Sequence, residues 1–281
     1  MFLKLNKLIY KVIFKIRHEQ LSLKYSKQFS SLEKTKNFCN SITKDCYSNK
    51  DMSNFRLKMF KSNFENLQYI FQPQFKFLIE CVCVYLNEYK TFPKILDLGG
   101  GFGDGFLYLR NIFKDNDINY TIVEQNEIVS NSKSIDFKCQ KSNSINFYNS
   151  VNSAMEKNNY DLLFSSGTLQ YMDDPYNVLE KINSSNFKMI GLTRNSFSNE
   201  TKYFSQMIYL KIPSNFPNEI LKNSPKNFNN HIVAILPHTT IQEKKLLNHL
   251  KNFKISFTNS GIEPGIFKDC YSKDILLTRN D

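Results

Sequence analysis

After Pro93 the sequence changes rhythm, and that change restricts its fold more than any other feature. Short apolar runs alternate with polar segments of helical length: "KILDL" (94–98), "YTIVE" (120–124), "INFY" (145–148), "YDLLFSS" (160–166) and "FKMIGLT" (187–193). Between them lie Gly105 to Phe113, Gln125 to Ser132, Val151 to Lys157 and Pro175 to Ile182, each able to supply a crossover helix. Strands this short and apolar, separated by helices, pair in parallel and are covered on both faces. "HIVAIL" (231–236) and "FKISFT" (253–258) flank a further candidate helix, Ile241 to Leu250, and "SKDILLTR" (272–279) follows the turn-rich "GIEPGIFKD". The last two strands read as a hairpin at the sheet edge. This predicts an α/β fold with about seven strands over residues 91–281, behind an N-terminal helical segment over 1–90 in which Phe55 to Tyr89 forms one or two helices.

The first strand of that repeat runs into "LDLGGGFGDG", with glycine at 99, 100, 101, 103 and 105. In an open parallel sheet the ligand binds outside the carboxyl ends of the strands, and the first strand-to-helix turn is its usual place. Three ligand classes use such a turn, and spacing separates them. A phosphate-binding P-loop needs GxxxxGK[ST], whose lysine reaches the phosphates, and no lysine follows these glycines closely enough. A dinucleotide site needs GxGxxG. Its third glycine would fall at Asp104, Phe106 or Tyr108, counted from Gly99, Gly101 or Gly103, so every frame fails. What remains is an acid inside the strand's end, Asp97, followed by a glycine turn.

That arrangement resembles motif I of the class I S-adenosylmethionine-dependent methyltransferases, which fold as Rossmann-like sheets. The resemblance implies that Asp97 orients the amino group of S-adenosyl-L-methionine, often through water. It also implies that Gly99, Gly100, Gly101 and Gly103 let the methionine part lie against bare backbone near a helix N-terminus. An acid ending the second strand holds the ribose hydroxyls in that family, and Glu124 of "YTIVEQN" stands at such a place, followed by Gln125. A carboxylate with two acceptor oxygens suits two adjacent hydroxyls. "YDLLFSSGTLQYMDDPYNVLEKI" is similar to the strand and loop that wall the cofactor's far side, and its wording is close to a bacterial group of uncharacterised putative methyltransferases with an LQYxxDP segment. "LTRNSF" and "SQM" at Ser205 to Met207 have counterparts there. The resemblance covers roughly residues 30–281 and is strongest over 94–195. It adds Ser166 and Leu169 to the cofactor contacts and assigns Gln170 and Tyr171 to the acceptor; Arg194, at the end of the fifth strand, reads either as a contact for an anionic acceptor or as the partner of a surface carboxylate. One departure stands out. The adenine-binding acid that many methyltransferases carry after the third strand has no match, since "INFYNS" offers only Asn149 and Ser150.

Methyl transfer is an in-line displacement, so the protein mainly supplies alignment, plus a base when the acceptor is a hydroxyl. Candidate bases are Asp173, His231 and His238. Asp174 precedes Pro175 and reads instead as the cap of the next helix. The similar bacterial proteins imply work on cell-surface polysaccharide precursors, so a sugar hydroxyl is the first expected acceptor and a small metabolite the second. A binding protein of the same shape without turnover is the alternative.

The rest of the composition sets bounds. The net charge of +11 belongs to a chain rich in Lys, Asn, Ile, Phe and Tyr, residues with A/T-rich codons, and no basic patch with interleaved aromatics stands out, which argues against nucleic acid. Charge does concentrate in "MFLKLNKLIYKVIFKIRHEQ", where Lys4, Lys7, Lys11 and Lys15 follow one helical face and Leu5, Ile9, Val12, Ile13 and Ile16 another. Residues 1–20 therefore read as a basic amphipathic helix, with two readings open: contact with anionic lipid, or packing on its own domain. Charges at every turn exclude a membrane span there. Six scattered cysteines, without a CxxC pair or zinc-ligand spacing, imply reduced thiols, no metal site and a cytoplasmic protein, with peripheral contact at the inner membrane face if the helix binds lipid.

Overall fold

The computed structural model of the chain describes residues 24–43, 50–65, 75–137, 139, 143–211, 227–228, 231–261, 267 and 269–280. The basic helix expected over residues 1–20 lies outside them. In chain order the described elements are β1 (Gln28–Phe29), α1 (Leu32–Ile42), α2 (Lys50–Glu65), α3 (Lys76–Tyr89), β2 (Ile95–Leu98), α4 (Asp104–Ile112), β3 (Asn119–Val123), α5 (Asn126–Ser132), β4 (Ser144–Tyr148), α6 (Val151–Lys157) and β5 (Leu162–Ser166). A single 3-10 turn, Leu169–Tyr171, leads to α7 (Pro175–Asn183) and β6 (Met189–Ser198). There follow β7 (Tyr203–Lys211), β8 (Asn227–Phe228), β9 (His231–Thr239), β10 (Ile241–Gln242), α8 (Glu243–His249), β11 (Phe253–Ser260) and β12 (Tyr271–Arg279).

These elements form two compact units, Met1–Cys46 with Lys202–Thr239, and Tyr47–Thr201 with Thr240–Asp281. The boundary expected at residue 90 therefore falls inside the second unit. The reason is packing: α3 supplies Phe77, Leu78, Cys81, Val82 and Tyr85 to the core of the main sheet and cannot be separated from it.

The second unit holds the sheet that the alternating runs predict. Its order is β11-β12-β6-β5-β2-β3-β4, with β10 pairing alongside β6. Strands β2 to β6 are mutually parallel, whereas β12 runs antiparallel to β6 and forms the edge hairpin with β11. The first five strands follow the 3-2-1-4-5 order of doubly wound sheets, so the order reverses between β2 and β5.

Alternation along β2 assigns its two faces. Ile95 joins Tyr120, Ile122, Leu162 and Phe164 under α3 and α4, while Leu96 and Leu98 join Leu163, Ile190 and Leu192 under α6, α7 and α8. Each such aliphatic or aromatic side chain contributes about 1.5–3 kcal/mol when fully buried. Asp97 lies on the face of Ile95, which sends a carboxylate toward an apolar layer.

The first unit is a four-stranded antiparallel sheet, β1-β7-β9-β8. Helix α1 covers it, capped by Ser31, whose Oγ accepts the Lys34 N–H at 3.3 Å, and Tyr25, Cys39 and Ile235 form its small core. This corrects the placement of "HIVAIL" beside the other apolar runs. It belongs to β9, whose neighbour β7 contains "SQM", a segment without a strand signal in the sequence analysis. The five described cysteines, Cys39, Cys81, Cys83, Cys139 and Cys270, are free thiols.

Candidate active site

A cleft of about 660 Å³ opens at the carboxyl ends of β2 to β6, where the strand order reverses. It is lined from one side to the other by Asn149, Glu124 and Gln125, the loop Gly99–Gly101, Ser166 to Thr168, Tyr171, Asp173 and Arg194. Five adjacent strands at about 4.8 Å spacing make this front roughly 19 Å wide.

The glycine loop is held by the neighbouring strand and by its own turn. Gly99 donates its N–H to the Val123 carbonyl at 2.9 Å, and Gly103 bonds back to Gly100 at 3.2 Å. Gly100 and Gly101 exclude a side chain for different reasons. At Gly100 a β-carbon would come within 2.4 Å of Asp97 Oδ2, so the main chain rests directly on the buried carboxylate. At Gly101 the backbone takes φ +61, and the nearest atom to a β-carbon is Arg56 Nη2 at 3.4 Å. The backbone at Gly101 thus faces the cleft, and any side chain there would be strained and would fill it.

Asp97 is 4% exposed and accepts a hydrogen bond from the Tyr120 hydroxyl at 2.6 Å. Burial pushes its pKa up to about 7, the Tyr120 bond pulls the other way, and the charges of Glu124 and Asp104 add to the rise. Asp104, in the first turn of α4, is also raised by burial and is lowered by Arg56. Arg56 comes from α2, which Asn131 of α5 holds through Ser53 Oγ at 2.8 Å and Asn54 Oδ1 at 3.2 Å, and whose Phe60 ring packs tilted against Phe102 of the glycine loop.

Glu124 stands where the second strand ends, as its sequence position predicts. Its Oε1 accepts the Gly101 N–H at 3.2 Å and its Oε2 the Gln125 N–H at 3.0 Å. Each oxygen keeps a second lone pair. The carboxylate therefore ties the glycine loop to β3 and still has acceptor capacity. Of the two residues offered in place of an adenine-binding acid, Asn149 lines the cleft, while Ser150 caps α6 by accepting the Ser153 N–H at 3.1 Å.

On the other side of the cleft the "GTLQYMDD" loop divides residue by residue. Ser166, Tyr171, Asp173 and Asp174 line it. Asp174 also caps α7 through the Asn177 N–H at 3.1 Å, the role expected for it. Leu169 does not reach the cleft: it is fully buried in the core below. Gln170 is 4% exposed, and its Oε1 accepts the Ser196 N–H at 2.9 Å. The 3-10 turn explains the split, because three consecutive residues point in three directions about a tight helix.

The histidines lie elsewhere. His231 and His238 are on β9 of the first unit, and His238 is not among the residues lining the cleft. His238 is fully buried, with Nδ1 2.8 Å from Gln206 Oε1, and burial pulls its pKa down to about 4. A histidine held neutral within a sheet is part of that unit's packing. Among the described residues, no group of three or more His, Cys, Asp or Glu side chains could hold a metal ion, and no helix is long and apolar enough to cross a membrane.

Arg194 lines the cleft from β6 with backbone φ +58, in the left-handed region that costs a non-glycine residue about 1–3 kcal/mol. The register shows why. β12 pairs Lys273 with Asn195 and Ile275 with Leu192, so Asp274 alone faces both Thr193 and Arg194, a β-bulge. Neither Arg56 at the glycine loop nor the bulge at Arg194 has a local sequence signal.

No protein-family model matches the chain, and no curated protein matches it. Solved structures do. An S-adenosylmethionine-dependent methyltransferase from Clostridium acetobutylicum is 14% identical over 80% of this chain and 98% of its own, with a TM-score of 0.48. Magnesium protoporphyrin IX methyltransferase from Synechocystis, with bound SAH, is 12% identical over 81% of this chain and 98% of its own, with a TM-score of 0.46. The N-terminal domain of EvdMO1 with SAH bound is 11% identical over 75% and 82%, with a TM-score of 0.43. Likenesses at this level do not extend to reaction or ligand.

Proposed function

We propose that the protein is an S-adenosyl-L-methionine-dependent methyltransferase. The observation that carries this reading is the cleft floor: a buried acid, Asp97, under a glycine loop whose Gly101 faces the cleft, with the Glu124 carboxylate closing the loop from the next strand. Asp97 and the glycines would take the amino-acid end of the cofactor. Glu124, with Gln125 and Asn149 beside it, would take the ribose and base. The cofactor fits the cradle because a β-carbon at Gly101 would stand in the space it needs.

The bound cofactor supplies a methyl carbon on a sulfonium. An acceptor hydroxyl would take that methyl group, leaving the bonding pair on sulfur, and would give up its proton to a base or to water. Asp173, which lines the cleft, would receive it, while Asp174 caps α7. The acceptor belongs on the β5–β6 side, beside Tyr171, Met172 and Arg194. A saccharide hydroxyl, as in cell-surface polysaccharide precursors of a bacterium, is the acceptor we favour. A cytoplasmic location, with residues 1–20 resting on the inner membrane face, belongs to the same reading.

Transfer of a labelled methyl group from S-adenosylmethionine to a panel of sugars and small metabolites tests this. Label appearing in one acceptor, lost with Asp97→Ala, is expected. Cofactor bound with no transfer to any acceptor would favour a binding protein without turnover.

A further inference from the structure

We propose that the methyl acceptor carries an anionic group, a carboxylate or a phosphate, and that Arg194 binds it; this rests on the methyltransferase reading above. The starting observation is a backbone outlier. Arg194 takes φ +58 within a ten-residue strand, where glycine would be unstrained and asparagine less strained. A cation needed only to decorate the surface would not require that conformation.

The outlier is held from every side. Thr193 Oγ1 donates to Asp274 Oδ1 at 2.6 Å across the bulge, and Asn195 Nδ2 donates to the Thr193 carbonyl at 3.1 Å. Gly167 donates its N–H to the same carbonyl at 2.9 Å, and Gln170 accepts the Ser196 N–H. Fixed on both sides, the strand has one position left to absorb the extra residue. Bulges of this kind re-aim a side chain beside functional sites. Here the re-aimed residue, Arg194, lines the cleft at β6, two strands from the glycine loop and on the far side of β5.

The other arginine lining the cleft, Arg56, sits against Gly101 and acts on Asp104, at the end assigned to the cofactor. Arg194 is therefore the cation of the acceptor side among the described lining residues. A guanidinium presents a planar fork of donors that matches carboxylate and phosphate oxygens, and a partly desolvated cleft strengthens such a pair. Tyr171 and Met172 alongside would cover the body of the same acceptor.

The test titrates acetate, inorganic phosphate and, as control, chloride at constant ionic strength. It uses the full chain with and without saturating S-adenosylhomocysteine and follows arginine Nε–H resonances. Wild type should show a saturable response to acetate or phosphate, weakened about tenfold or more, roughly 1.4 kcal/mol, in Arg194→Gly. Arg194→Gly should melt no lower than wild type, because glycine relieves the positive φ, and should keep its cofactor affinity. Preference for phosphate assigns a phosphorylated acceptor, and preference for acetate a carboxylated one. Equal anion binding by wild type and Arg194→Gly, or no saturable binding by wild type, would overturn the proposal. Arg194-dependent anion binding in a protein that fails to bind the cofactor would uphold the anion site and overturn the methyltransferase reading instead.

Discussion

Tyr120 donates its hydroxyl hydrogen to Asp97 at 2.6 Å, one strand across the main sheet and wholly within its buried layer. A carboxyl in that place resists ionisation despite the bond, and its pKa rises from 3.8 to about 7. In the ligand-free protein the folded state thus holds a proton that the unfolded chain releases. The contribution of Asp97 to stability is complete below pH 3.8 and is lost as pH rises to about 7, at close to 1.4 kcal/mol per pH unit within that window. Asp97→Asn should remove this slope, so the variant should gain in melting temperature relative to wild type as pH rises toward 7. Identical pH profiles for the two proteins would show that Asp97 ionises freely.

The same group links cofactor affinity to pH. The amino group and sulfonium of S-adenosylmethionine are cationic and favour ionised Asp97. Affinity should rise with pH up to about 7 and level off above it, and calorimetry across that range reads this directly. In Asp97→Asn this dependence should vanish and binding should weaken. A wild-type affinity that falls as pH rises would contradict the placement of the cationic end beside Asp97.

Glu124 performs two tasks, and a variant can separate them. Glu124→Ala removes the acceptor for the Gly101 N–H as well as the acceptor proposed for the ribose hydroxyls. Charge-assisted bonds contribute about 1.5–3 kcal/mol each, so cofactor binding should weaken by about 10- to 100-fold. The loop effect alone would weaken the cofactor and its 2′-deoxy and 3′-deoxy analogues equally. Ribose contact predicts that wild type discriminates against the deoxy analogues and that the variant loses most of this discrimination. A variant that still prefers the intact ribose as strongly would remove Glu124 from the ribose site.

Gly101→Val places a branched β-carbon at φ +61 facing the cleft. Cofactor binding should be abolished, while far-ultraviolet circular dichroism shows the fold retained. Unchanged affinity would mean that the loop only turns the chain.

Gln170 gives the opposite kind of prediction. Gln170→Leu strands the Ser196 N–H in the core, which should lower stability by about 1–3 kcal/mol in urea denaturation. Once folded, the variant should keep its cofactor affinity, since Gln170 does not line the cleft. Weakened cofactor binding with unaltered stability would return Gln170 to the cleft.

The features legible in the sequence were those governed by local chemistry. Asp97, the glycine turn and Glu124 are each fixed by a strand end, and strand ends follow from apolar runs only a few residues long. Asp174 before Pro175 was legible as a cap for the same reason. What was not legible depends on distant pairing. The strand at 203–211 has β9 as its partner, some thirty residues on, so its membership in a separate sheet has no local mark. Arg56 reaches the glycine loop because α2 docks on α5 through Asn131, a contact across 78 positions of sequence. The bulge at Arg194 arises from the length mismatch with β12, and "LTRNSF" gives no hint of it. Leu169 and Gln170 lie off the cleft lining because a tight turn sends neighbouring residues to core and cleft alike.

The most direct measurement is calorimetric titration of the purified chain with S-adenosylmethionine, S-adenosylhomocysteine and NAD, wild type beside Asp97→Ala. Binding of both sulfur nucleosides with a Kd of about 1–100 μM, or roughly −8 to −5.5 kcal/mol, absence of NAD binding, and loss of the signal in the variant are the expected results. Absence of heat and of any thermal shift with both sulfur nucleosides, or binding of NAD in their place, would contradict the assignment of the cleft.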